Sequence, residues 1–222
     1  MKNFNLPTKL IEEFKRTGIL AIGEIHGIRE NYHFYNSLLN NLPFKPNLAI
    51  EMTSIEKIEF EKYLKGEEVD SSKLSSDGRL NVEYFAFLKN YIKENSNVKI
   101  IYFDIKEENL ENLKNKQKTR DEIMANNLLN ELEKPVVIIA GNIHTEKKVF
   151  DTGDNKIYPM GLFLKQKLGD FPVVQIFYSF GNYFNFTIRE FKTKDVLLNE
   201  FIEKEDSEYI FYQEKATPTN PL

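Results

Sequence analysis

The sequence predicts an α/β fold: a mostly parallel central sheet flanked by helices, finished by an antiparallel C-terminal hairpin edge. Three observations predict it. Four short aliphatic runs lack the strict alternation of a half-exposed strand. Stretches with helical spacing of apolar residues separate them. Two β-rich runs then follow one another near the end of the chain.

In chain order, the aliphatic runs are residues 18–23 (GILAIG), 47–52 (NLAIEM), 98–104 (VKIIYFD) and 135–140 (PVVIIA). Their Ile and Val content suits strands buried on both faces. Between them, residues 32–42 carry Phe34, Tyr35, Leu38, Leu39 and Leu42 at helical spacing, and residues 55–64 and 82–92 repeat the pattern. Residues 120–132 place Ile123, Met124, Leu128, Leu129 and Leu132 on one side of a further helix. Strand–helix alternation of this kind implies βαβ units. A short helix is expected at 162–168. Residues 171–180 and 183–191 are β-rich, and Gly181-Asn182 between them reads as a hairpin turn. The polar stretch at about 65–80 reads as a loop or lid, and the last residues, ATPTNPL, as an irregular tail. No repeat or linker divides the chain, so residues 1–222 are read as one domain.

With 30 basic and 34 acidic residues and a formal net charge of −4, the chain has no electrostatic footprint for nucleic acid. It has no cysteine, which excludes disulfides, thiolate metal sites and a cysteine nucleophile. No apolar run approaches the roughly 20 residues needed to cross a bilayer. The N-terminal residues contain no continuous apolar segment of the signal-peptide kind, so the expected location is the cytoplasm, without a membrane partner.

The polar residues collect at the strand ends. Glu24 and His26 follow the first strand, Glu51 ends the second, Asp104 ends the third, and Asn142 and His144 follow the fourth. In open parallel sheets, ligands bind beyond the carboxyl ends of the strands. Two of the chain's three histidines occupy this edge. His26, within Gly23-Glu24-Ile25-His26-Gly27, is a candidate general base or metal ligand, against a structural role in a βα turn. Glu51 follows an apolar run, where a carboxylate is costly unless paired; it either orients a histidine or pairs with a basic residue at the sheet edge. His144 is a candidate acid partner to His26 or a second ligand to a shared metal, and Asn142 beside it a candidate oxyanion donor. If a helix begins near Gly27, then His26, Glu30 and His33 share a face, a spacing compatible with zinc or manganese. Arg120-Asp121 opens a helix. Arg is unfavourable there electrostatically, so Arg120 either faces the site to hold an anion or is solvated. No GxSxG elbow, P-loop or dinucleotide fingerprint is present.

These segments together resemble the erythromycin esterase family and the wider group that includes ChaN-like haem-binding proteins and the TIKI/TraB proteins. Gly23-Glu24-Ile25-His26-Gly27-Ile28-Arg29-Glu30 is similar to the family's GExxHGxxE stretch, with one residue fewer between Glu and His. The Ala49-Ile50-Glu51 strand end, Asn81-Val82-Glu83 with Tyr102-Phe103-Asp104, the Arg120-Asp121-Glu122-Ile123-Met124-Ala125-Asn126-Asn127 helix, the strand leading to Asn142-Ile143-His144, and the later Met160-Gly161 and Leu168-Gly169 follow in the family's order. The resemblance implies hydrolysis of an ester or related acyl bond of a small-molecule substrate. His26 would activate water with support from Glu51, and Glu24, Arg120 and His144 would be further members of the site. Asp104, Asn142, Asp121 and Glu30 are expected to contact substrate. This reading requires no cofactor. The Glu-x-His spacing is like that of ChaN-type proteins, and His33 is similar to a second histidine in that group; this implies the alternatives of a divalent metal held by His26, His33 and His144, or haem.

Overall fold

The computed structural model describes residues 4–114, 118–151, 156–192 and 199–219. Helix α1 (Thr8–Thr17) leads through Gly18 into strand β1 (Ile19–Glu24), followed by α2 (Glu30–Asn41) and β2 (Asn47–Ile50). Next come α3 (Ser54–Lys65), α4 (Val82–Glu94), β3 (Ile100–Tyr102), α5 (Leu110–Lys114), α6 (Arg120–Glu131) and β4 (Val136–Gly141). The short helix α7 (Asn142–Thr145), the small ribbon β5 (Phe150–Asp151) and β6 (Lys156–Ile157), and α8 (Met160–Leu168) precede the final strands. Those are β7 (Val173–Asn185), β8 (Thr187–Lys192), β9 (Phe201–Glu203) and β10 (Glu208–Ala216).

The main sheet has the order β3-β2-β4-β1-β7-β10-β9, with β8 paired to β7. Pairing is parallel from β3 through β10 and antiparallel at β10–β9 and β7–β8. The expected α/β class, parallel centre and antiparallel C-terminal edge are all present. Strand β4 inserts between β1 and β2, so the segment carrying His144 emerges between the ends that carry His26 and Glu51.

All six residues of β1 and of β4 are buried, which explains their unbroken aliphatic character. Alternate residues serve opposite layers. Leu20, Ile22, Leu48, Ile50, Val137 and Ile139 join an aromatic-rich core with α1–α4, while Ile19, Ala21, Ala49, Val136 and Ile138 pack with α6 and α8.

The hairpin differs from its expected form. Gly181-Asn182 does not turn: both residues lie inside β7, and the chain reverses at Phe186, whose φ is 58°. Gly181 adopts φ 124°, and a Cβ there would lie 2.2 Å from the Ala216 carbonyl oxygen; the glycine serves strand-to-strand approach rather than a turn. Residues 217–219 form no regular element, yet they are held in place: Pro218 bridges Ile28 and the Thr219 N–H donates to the Gly27 carbonyl at 2.9 Å. The final residues, 220–222, lie outside the described residues.

Candidate functional site

Each polar side chain of the site is delivered by a local stop signal. Strand β2 ends at Ile50, and Thr53 then caps α3 in a reciprocal capping box with Glu56, leaving Glu51 and Met52 in the gap between them. Thr119 caps α6 by accepting from the Glu122 N–H at 3.2 Å, which places Arg120 and Asp121 in its first turn. Asn81 caps α4 by accepting from the Tyr84 N–H, and Arg79 falls in the turn just before it.

Glu51 is the centre. It is 4% exposed. Its Oε1 accepts from the Arg79 guanidinium and, at 2.8 Å, from Arg120 Nη2; its Oε2 accepts from the Gly141 N–H at 2.9 Å. Two imidazoles face it: His26 Nε2 stands 3.7 Å from Oε2 and His144 Nε2 3.7 Å from Oε1. Each histidine has its other nitrogen held by a different carboxylate. Glu24 Oε1 lies 2.9 Å from His26 Nδ1, and Asp121 Oδ1 lies 2.7 Å from His144 Nδ1. A carboxylate on Nδ1 selects the tautomer with the proton on that nitrogen and leaves Nε2 as a lone-pair acceptor. Asp104 accepts both Arg120 Nε at 3.0 Å and Nη2 at 2.7 Å, a bidentate clamp that fixes the guanidinium plane.

The charges set one another. Burial pushes the Glu51 carboxyl up, but the Arg79 guanidinium, with His26, His144 and Arg120, holds it well below the usual carboxylate range. Burial pulls the His26 imidazole down, yet its hydrogen bond to Glu24 and the nearby Glu51 charge outweigh that and raise it above 6.5. For Glu24, burial dominates over the His26 contact and raises the carboxyl. The second oxygen of Glu24 accepts from Asn31 Nδ2 at 2.8 Å, and Asn31 Oδ1 accepts from the Tyr178 hydroxyl, so a buried polar chain links the dyad to β7.

The structure brings together His26, Glu24, Glu51, Asp104, Arg120, Asp121 and His144. Four expected placements differ in the structure. Glu24, rather than Glu51, orients His26, because β1 places Glu24 two residues away on the same turn. Asn142 does not face the site as an oxyanion donor: its Nδ2 points to the Ile176 carbonyl at 3.4 Å, behind β1. Glu30 accepts from the Thr217 N–H at 2.8 Å and ties down the C-terminal segment instead. His33 is exposed on α2, so it shares no face with His26, which precedes that helix in a turn. Among the described residues, no group of three or more His, Asp or Glu side chains has the geometry to hold a metal ion.

Sequence reasoning missed Arg79, Asn31 and Tyr178. Arg79 lies in the polar stretch read as a loop or lid; its only sequence signal is an arginine placed immediately before an apolar helix with an Asn cap. That stretch is strapped down rather than loose. The buried carboxylate of Glu59 accepts from the Asp70 N–H at 2.8 Å, and Glu56 accepts from the Ser75 N–H at 2.9 Å.

Fold and site together define an α/β protein with two histidine–carboxylate dyads facing a buried, doubly arginine-clamped glutamate. The fold is that of several solved structures at low sequence identity. A mutant of the erythromycin esterase EreC in its open conformation aligns with a TM-score of 0.65 and 11% identity, covering 96% of this chain and 93% of that one. A succinoglycan biosynthesis protein aligns at 0.67 and 13% identity, covering 100% and 95%. A protein from Bacillus cereus aligns at 0.66 and 14% identity, covering 100% and 96%. The erythromycin esterase-like fold suggested by the sequence is therefore the fold observed. No family model and no curated protein matches the sequence.

Proposed function

We propose that the protein is a hydrolase of an ester or related acyl bond, with His26 as general base. The carrying observation is the geometry between His26 Nε2 and Glu51 Oε2. A separation of 3.7 Å is too long for a direct hydrogen bond and leaves both atoms free to contact one water lying beside the pair. The crevice bounded by His26, Glu51, Arg79 and Tyr84 has a volume of about 10 Å³, room for about one water molecule. A water held there donates one proton to His26 Nε2. The resulting hydroxide attacks the substrate carbonyl while Glu24 stabilises the imidazolium. The oxyanion of the tetrahedral intermediate lies against Arg120, whose Nη1 is turned toward His144 Nε2 at 3.4 Å rather than toward a carboxylate. His26 then returns the proton to the leaving oxygen as the C–O bond breaks, giving acid and alcohol. His144, fixed by Asp121, positions the Arg120 guanidinium. That the fold is shared with an erythromycin esterase adds support at the level of architecture.

The donor chemistry does not suit a divalent ion. Glu51 and Asp104 already accept from two guanidiniums and from backbone N–H groups, and those fixed positive charges oppose a cation beside them. Haem does not fit either, since a ligand of that size needs a pocket of roughly 300 Å³ or more and the crevice at His26 is far smaller.

His26→Asn should lower the hydrolysis of activated esters by about 10²–10⁴-fold in a variant that circular dichroism shows to be folded; an unaltered rate in the folded variant rules the assignment out. Dialysis against EDTA should leave the wild-type rate unchanged. Activity lost on dialysis and restored by zinc or manganese would instead establish a metal mechanism.

A further inference from the structure

A cavity of about 580 Å³ lies outside the constellation just described, between the start of α3 and the segment joining β3 to α5. One wall is Thr53, Ile55 and Ile58; the other is Ile105 and Leu110. Three of these aliphatic side chains hold much of their surface in water, Ile55 at 56%, Ile58 at 53% and Leu110 at 41% exposed. Contiguous exposed aliphatic surface lining a concavity marks a ligand groove rather than ordinary surface scatter.

The groove is built on the two chain segments that directly follow the site's acids. Thr53 stands two residues beyond Glu51, and Ile105 follows Asp104 directly, its N–H donating to the Asp104 carboxylate at 2.8 Å. The Ser54 N–H donates to the Ile105 carbonyl at 3.4 Å, closing the two walls together at the strand ends. Arg120 bonds to both Glu51 and Asp104, so the proposed oxyanion group belongs to the same two strand ends from which the groove springs.

We infer that this groove takes the unbranched aliphatic chain of the acyl group, making the substrate an ester of a medium-length fatty acid. The walls contain no aromatic ring on which a planar ligand would stack; their apolar side chains are all aliphatic, with the hydroxyls of Thr53 and Ser54 beside them. Lys106, Glu107 and Glu108 provide the only charges along it. Aliphatic walls whose segments adjoin the acids that Arg120 clamps match a chain that ends in a carbonyl or carboxylate. The chemistry rests on the ester-hydrolase reading, but chain binding is measured without turnover.

The test is calorimetric titration of hexanoate, octanoate and decanoate into the wild type, Ile58→Asp, Leu110→Gln and His26→Asn. Both groove side chains are exposed, and circular dichroism verifies that the variants fold. Affinity should rise about fourfold per added methylene in the wild type and in His26→Asn. Decanoate binding should fall at least tenfold in Ile58→Asp and in Leu110→Gln. Length-dependent binding that these variants abolish upholds the groove even if no ester is hydrolysed, in which case the catalytic reading fails alone. Equal or absent binding of all three acids overturns the groove assignment, whatever the esterase activity. A concentration-dependent dimer that Ile58→Asp dissolves, without acid binding, also overturns it, because the groove is then an interface between copies.

Discussion

At the scale of single residues, two acids at one sheet edge differ because their neighbours differ. Glu24 is buried beside one imidazole and one amide, so burial dominates and its carboxyl is raised. Glu51 is equally buried but faces two guanidiniums, and their charge overrides desolvation. The raised His26 value has a sign that can be followed through. Its contribution to folding stability is fully present below 6.5 and is lost as pH rises through the raised value. For catalysis the base must be unprotonated, so the acidic limb of kcat/KM against pH should fall above 6.5. Glu24→Gln removes the anion from Nδ1 and should move that limb to lower pH while reducing the rate, which a pH–rate profile of wild type and variant measures. A limb that stays in place would deny Glu24 its role. None of this balance is legible from residue types alone. That Glu24, Glu51 and Asp104 would be charged groups at strand ends was; which cation each would meet was not.

At the scale of elements, the site depends on segments without regular structure. Gly27 shows how tightly they are set. Its φ is +73°, and a Cβ there would lie 1.9 Å from the Phe184 carbonyl oxygen on the β7–β8 hairpin. The Gly27 carbonyl in turn accepts from the Phe184 N–H at 3.1 Å. Gly27→Ala should therefore destabilise by about 2 kcal/mol or more, combining left-handed strain with overpacking, and should lower activity by displacing His26 beside it. Urea denaturation together with the ester assay reads both effects. The helices were legible because apolar periodicity records which face is buried. The hairpin turn was misplaced because Gly181 carries the same letter whether it serves a turn or a close approach; only its distance to Ala216 distinguishes the two. Helix α1 and strand β10 were not legible, since each packs through contacts with distant segments, β10 pairing with β7 and β9.

At the scale of the whole molecule, the C-terminal residues close the structure over its N-terminal third. The Arg29 N–H donates to the Thr217 carbonyl at 3.0 Å, the Thr217 N–H to Glu30, the Thr219 N–H to Gly27, and the Thr219 hydroxyl to the Gly78 carbonyl at 3.1 Å. These bonds brace the turns that carry His26 and Arg79. Removing residues 217–222 should cost about 4 kcal/mol at roughly 1 kcal/mol for each of these four hydrogen bonds, lowering the melting temperature by about 8–16 °C. A thermal melt of the truncated chain tests this; an unshifted transition would show that the segment braces nothing.

By itself the sequence determined which strands are buried, which residues end them, and that His26, Glu51, Asp104 and His144 would gather along one edge. Those features follow from local burial, which periodicity encodes within a few residues. The tertiary structure alone decided that Glu24 rather than Glu51 holds His26, that Arg79 joins Arg120 on Glu51, and that Asn142, Glu30 and His33 stand elsewhere. The physical reason is strand order: inserting β4 between β1 and β2 sets which side chains meet across tens of residues, and no local pattern records that insertion.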